Sequence, residues 1–148
     1  MDILVRGMTP ERADEYSALF AGVFGEEPWN ERWSIGNARI RIENMMRTCT
    51  FVGKALYRGS DLIGMIWGQK ELHCNGVHFQ IQEFCVKHGE QRKGYGKVLL
   101  RELENELKKA GATNIYLITS RGERTEGYYR KHGFRAMENM LIMYNDSL

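Results

Sequence analysis

The sequence predicts a single domain of the α+β class built on a mixed sheet, and three observations carry that prediction. Two apolar runs, 50–57 and 62–70, flank Arg58-Gly59-Ser60-Asp61, the signal of an antiparallel hairpin. A strand-like run over 77–86, a helical run over 95–110 and a strand-like run over 115–119 then follow in order, which reads as a parallel crossover. Only two prolines, Pro10 and Pro28, and no linker or repeat interrupt the 148 residues. That length buries a core without disulfide or metal staples.

Residues 3–8 alternate weakly and predict a first strand, closed by Thr9-Pro10, a helix start with proline at the first helical position. A helix over about 10–24 lines up Ala13, Tyr16, Leu19, Phe20 and Val23. Gly25-Glu26-Glu27-Pro28-Trp29-Asn30 breaks it. Ser34 then caps a second helix reaching Met46, with Ile35, Ala38, Ile42, Met45 and Met46 inward. After the hairpin, Asn75-Gly76 marks a turn, and beyond it Val77, Phe79, Ile81 and Glu83 alternate with His78, Gln80, Gln82 and Phe84. The next helix turns Val98, Leu99, Leu103, Leu107 and Ala110 inward and stops at Gly111. Residues 115–119 make a short buried strand. An amphipathic helix over 123–132 stops at Gly133, and 135–144 closes the chain as strand.

Composition removes several functions. Hydrophobic content of 43% with 27% charged residues is that of a globular chain, not a disordered one. A net charge of +2 gives no field that argues for nucleic acid or an anionic membrane. The first residues do not read as a secretion signal, and no apolar run reaches the roughly 20 residues of a membrane span. Cys49, Cys74 and Cys85 are odd in number and scattered, so a disulfide framework is not expected and a cytoplasmic setting is. His73, Cys74 and His78 fit no familiar metal spacing, and no metal is expected.

The chemistry concentrates in His88-Gly89-Glu90-Gln91-Arg92-Lys93-Gly94-Tyr95-Gly96-Lys97. A strand, a glycine-bearing turn and a helix start leave backbone N–H groups and a positive dipole end pointing the same way, an anion site suited to a pyrophosphate. Gly94 and Gly96 let the backbone approach the phosphates, and Arg92, Lys93 and Lys97 add charge. Other readings of these residues fail. A Walker loop needs lysine where Tyr95 follows Gly94, and the dinucleotide fingerprint needs glycine where Leu99 stands. The RNA-recognition signature approximated by 93–100 must be a strand bearing aromatics, but Lys97 and Leu100 occupy two aromatic positions and the periodicity there is helical.

Gln91-Arg92-Lys93-Gly94-Tyr95-Gly96 resembles the Q/R-x-x-G-x-G/A motif with which the GNAT acetyltransferases cradle the pyrophosphate of CoA. Tyr128-Tyr129-Arg130-Lys131-His132-Gly133-Phe134 resembles the same family's F-Y-x-x-x-G-F element. The resemblance covers about 62–143 and implies the GNAT fold, a mostly antiparallel mixed sheet flanked by helices, with acetyl-CoA as co-substrate. It implies that Phe84, Cys85 and Val86 meet the pantetheine arm and thioester, and that Gln91, Arg92, Lys93, Gly94, Tyr95, Gly96 and Lys97 meet the phosphates. Tyr129 aligns with the general acid that protonates the departing thiolate and also borders the cofactor. Glu83 faces the acceptor as a candidate base, and Glu26, Glu27 and Trp29, with Glu31, fall where the family builds its acceptor site. Two departures stand out. Gly122 occupies a position that is often asparagine, seven residues before Tyr129, and Thr125 one that is often alanine, four before it.

Each of these residues also has a structural reading. Tyr129 and Tyr128 serve as core packing, Glu83 as an ion-pair partner, Cys85 as a small hydrophobe, and Trp29 and Trp33 as helix anchors. The expected acceptor is a small cationic amine such as an aminoglycoside or polyamine. The alternatives are a protein amino group, or a sensor that binds acetyl-CoA without turnover. A homodimer is the expected assembly.

Overall fold

The computed structural model describes residues 2–148. The chain divides into two compact units, the first ending at Ile118 and the second spanning Thr119–Leu148. In the first, β1 (Ile3–Gly7) leads through a 3-10 turn (Pro10–Arg12) into α1 (Ala13–Phe24) and α2 (Ile35–Met46). Next come β2 (Phe51–Arg58), β3 (Asp61–His73), β4 (Gly76–Val86), α3 (Tyr95–Lys109) and β5 (Ala112–Leu117). The strands form one sheet in sequence order, antiparallel throughout except for the parallel β4–β5 pair. The expected mixed α+β architecture is the observed one.

Local chemistry sets the helix ends. The Ser34 hydroxyl accepts the Asn37 N–H at 3.0 Å, satisfying one of the donors that a helix start leaves open. Gly111, at φ +78, ends α3 where most L residues would be strained. Three inward assignments are corrected. Ile35, the first residue of α2, is 58% exposed, and Val98 is exposed because the buried stripe of α3 runs through Leu99, Leu100, Leu103 and Leu107. Ala110 is likewise exposed.

The core has two faces. Under α1 and α2 lie Ala55 and Tyr57 of β2, Met65 and Trp67 of β3 and Cys85 of β4, packed with Tyr16, Phe20, Val23, Ala38 and Ile42. The other face carries α3: Lys54 pairs with Glu106, and the space beside Gly64 is filled by the Leu99 side chain. Register assigns the residues of β4 to these faces. Phe79 and Ile81 pair with Lys70 and Gly68, on the α3 side with Ile66, whereas Glu83 and Cys85 pair with Trp67 and Met65 on the α1/α2 side. A bulge at Gln82 makes the switch, two residues of β4 standing against one step of β3. The expectation that Glu83 shares a face with Phe79 and Ile81 is therefore wrong. The inserted residue shifts the period of two, and Glu83 turns toward α2.

The second unit holds a π-helical turn (Glu123–Gly127) that runs directly into α4 (Tyr128–Lys131), followed by Gly133 at φ +90. The closing strand expected over 135–144 does not form. The run from Met140 to Tyr144 is apolar, but a strand needs a ladder, and the second unit contains no other strand to supply one. The strand expected at 115–119 is β5, which begins and ends earlier, is half-buried at Ile115 and leaves Ile118 60% exposed.

Candidate active site

The β4–β5 ladder runs from Val77/Ala112 to Ile81/Leu117 and ends there, while β4 continues to Val86. Phe84, Cys85 and Val86 thus lie on the part of β4 that outruns its parallel partner. The chain then enters the glycine loop. Three of its residues, Gly89 (φ +81), Arg92 (φ +63) and Gly94 (φ +87), adopt left-handed backbone, which glycine takes freely and arginine takes at a cost of roughly 1–2 kcal/mol. Gly94 is the N-cap of α3 and offers no side-chain cap to the first helical N–H groups. A Cβ built on Gly94 meets nothing within 4 Å, so the space above the helix start is open.

Side chains brace this loop. Gln91 Nε2 donates to the Val86 carbonyl at 3.1 Å. Arg58, the last residue of β2, donates to both Glu90 oxygens at 2.6 and 3.0 Å, and Lys93 Nζ donates to Glu90 at 3.0 Å. These bonds, Arg58's first, hold the Glu90 carboxyl down to about 2. Because its pKa is depressed in the folded chain, the brace is complete above the ordinary carboxyl value of 4.5 and is lost only as pH falls toward 2. Lys93, expected on the phosphates, is thus engaged by Glu90, while Arg92 and Lys97 are exposed. Arg58→Ala is expected to raise the dissociation constant for acetyl-CoA several-fold at neutral pH, which isothermal calorimetry measures directly.

On the α1/α2 side of the sheet the bulge presents Glu83 to α2. Arg41 Nη2 donates to Glu83 Oε1 at 2.5 Å, and the Arg41 guanidinium lies 5.7 Å from the centre of the Trp33 ring. Trp33 Nε1 donates in turn to Glu31 Oε2 at 2.5 Å. Burial pushes the Glu83 carboxyl above its usual range, Arg41 pulls it back, and Glu31 adds to the rise. Burial also pushes the Cys85 thiol far up, and its side chain packs within the core cluster under α1 and α2. Glu26 and His88 approach to 3.3 Å at the rim of a cleft of about 490 Å³ lined also by Leu19, Val23, Asp61 and Lys87. Glu27 is exposed, and Trp29 meets Phe24 edge-on at 5.2 Å.

Tyr129 lies in the second unit, its ring edge-on to Phe134 at 5.5 Å and to Tyr128 at 5.5 Å. The Phe134 N–H donates to the Tyr129 carbonyl at 3.0 Å, tying the tyrosine to the turn that Gly133 makes. Burial pushes the Tyr128 phenol up to about 12. The departures are accommodated locally. Gly122 takes φ +127, and the Thr125 hydroxyl donates to the Ser120 carbonyl at 2.7 Å. His73 and His78 stack at 3.9 Å, and among the described residues no group of three or more His, Cys, Asp or Glu is placed to hold a metal.

In the first unit, then, the end of β4, the glycine loop and the start of α3 are contiguous, as the sequence predicts. Arg41, Arg58 and Glu90 are residues that sequence reasoning missed. Each acts through a partner remote in the chain, and no local motif marks such a pair.

A family model described as the acetyltransferase (GNAT) family matches residues 13–134. Solved structures share the fold. A GNAT family acetyltransferase of Staphylococcus aureus aligns with TM-score 0.77 at 16% identity, covering 98% of this chain and all of that one. A ribosomal-protein-alanine N-acetyltransferase of Brucella melitensis gives 0.79 at 14%, covering 97% and 100%. An aminoglycoside acetyltransferase from an uncultured soil metagenomic sample, in complex with sisomicin, gives 0.77 at 12%, covering 99% and 96%. No curated protein matches the sequence. With a family model spanning most of its length, and the fold of that family, the chain belongs to the GNAT family of acyl-CoA-dependent N-acetyltransferases.

Proposed function

We propose that this enzyme acetylates a primary amine of a small cationic molecule. The observation that carries the reading is the open, left-handed glycine loop at the start of α3, set at the end of a β4 that outruns β5. The residues present fit acetyl-CoA: the uncapped helix start and the exposed Arg92 and Lys97 suit its phosphates, and the free length of β4 suits its pantetheine arm. When bound, acetyl-CoA supplies an activated acetyl thioester.

The protein's own contribution is positioning and proton management. The backbone at Cys85 and Val86 polarises the thioester carbonyl. Glu83 takes a proton from the acceptor's ammonium, so that a neutral amine attacks. Its raised pKa brings it closer to the working pH of a base. Tyr129 Oη donates a proton to the departing sulfur. Glu83 and Glu31, beside the Trp33 ring, favour a cationic acceptor over a neutral one.

A panel of amines incubated with acetyl-CoA tests this, read by thiol release and by mass spectrometry of the products. Polyamines and aminoglycosides are expected to be acetylated, with the Glu83→Gln variant slower by about 100-fold, the lower end of general-base effects. Acetylation of peptide amino groups alone would reassign the acceptor to a protein. Binding of acetyl-CoA with no acceptor turned over would make the chain a sensor.

A further inference from the structure

We propose that Arg41 is a positioning residue for acetyl transfer, fixing the Glu83 carboxylate at the acceptor side of β4. The proposal rests on the reading of Glu83 as the base. Its observation is geometric. Four residues from α2, β4 and the segment before α2 form one chain of contacts: Glu31 accepts from Trp33, Trp33 lies against Arg41, and Arg41 Nη2 holds Glu83 at 2.5 Å. The bulge at Gln82 is what turns Glu83 into this chain, and without it the carboxylate would fall on the α3 face.

Two features distinguish this pair from an ordinary surface ion pair. The Arg41 Nε is buried with no hydrogen-bond partner, so the guanidinium spends one donor to place another on Glu83. A pair that served only stability would be expected to use that donor. The Glu83 side chain is only 15% exposed, yet it accepts from Arg41 at one oxygen, which leaves Oε2 for an acceptor's ammonium. The charged and titratable groups around Glu83 are Arg41 from α2, Glu31 from the segment before α2, and Cys85 on β4 itself. Its partner on β3, Trp67, does not titrate. Arg41 is thus the one cation in this set and opposes both burial and Glu31. It holds the base ionised, pointed and within reach of the working pH.

Carbon-13 NMR titration of the Glu83 side-chain carboxyl, which needs no acceptor, tests the pair. Arg41→Gln is expected to move its midpoint up by about one pH unit, and Arg41→Lys to restore most of that. The acidic limb of kcat/KM for the acceptor found in the amine panel is expected to move to higher pH by the same amount. The sign follows because a base must be deprotonated, and a higher pKa delays that. Trp33→Leu, which keeps the charge but removes the ring beside Arg41, is expected to shift both readouts in the same direction by less. That variant decides the matter if Arg41→Gln does not fold. Unmoved NMR midpoints in the variants would overturn the proposal, and so would a moved midpoint with an unmoved acidic limb. Glu83→Gln with full turnover is a different outcome: it would remove the base assignment on which the proposal stands.

Discussion

Gly94→Glu is expected to weaken acetyl-CoA binding by at least about 100-fold, the larger part of it electrostatic. The native φ of +87 is one that an L residue adopts only with strain, and the substitution places a carboxylate at the uncapped start of α3, where an anion is to sit. The protein itself offers no clash, since nothing lies within 4 Å of the added Cβ. The variant is therefore expected to remain folded by circular dichroism, with a modestly lower melting temperature, while calorimetry with acetyl-CoA loses its signal. Wild-type affinity in this variant would mean that the loop is only a turn.

Tyr129→Phe is expected to lower kcat by about 100-fold while leaving the acetyl-CoA dissociation constant within about twofold, since general acids contribute typically 10²–10⁴. The ring contacts with Phe134 and Tyr128 survive the change, so packing is conserved and the hydroxyl alone is removed. A purely structural tyrosine would show the opposite pattern, with little loss of turnover. The acid assignment fails if kcat is unchanged.

Much of the first unit was legible because its signals are local. The turn at Gly59-Ser60, the Ser34 cap, the Gly111 stop and the glycine loop each depend on a few neighbouring residues, and each is where the sequence predicts it. The bulge at Gln82 was not legible. It needs no glycine and leaves no compositional mark, yet it decides which way Glu83 points. Arg41 and Glu83 stand 42 positions apart and Arg58 and Glu90 stand 32 apart, so only the packing of α2 and of the loop against the sheet reveals them. The strand expected over 135–144 shows the converse: an apolar run states a preference, and a partner strand must exist to realise it.

Isothermal titration of the purified wild-type chain with acetyl-CoA is the measurement that tests the cofactor site most directly. Saturable binding is predicted, at one site per chain, abolished by Gly94→Glu and weakened by Arg58→Ala. Absence of any binding at millimolar acetyl-CoA would contradict it and would leave the loop before α3 as a structural turn or a site for a different anion.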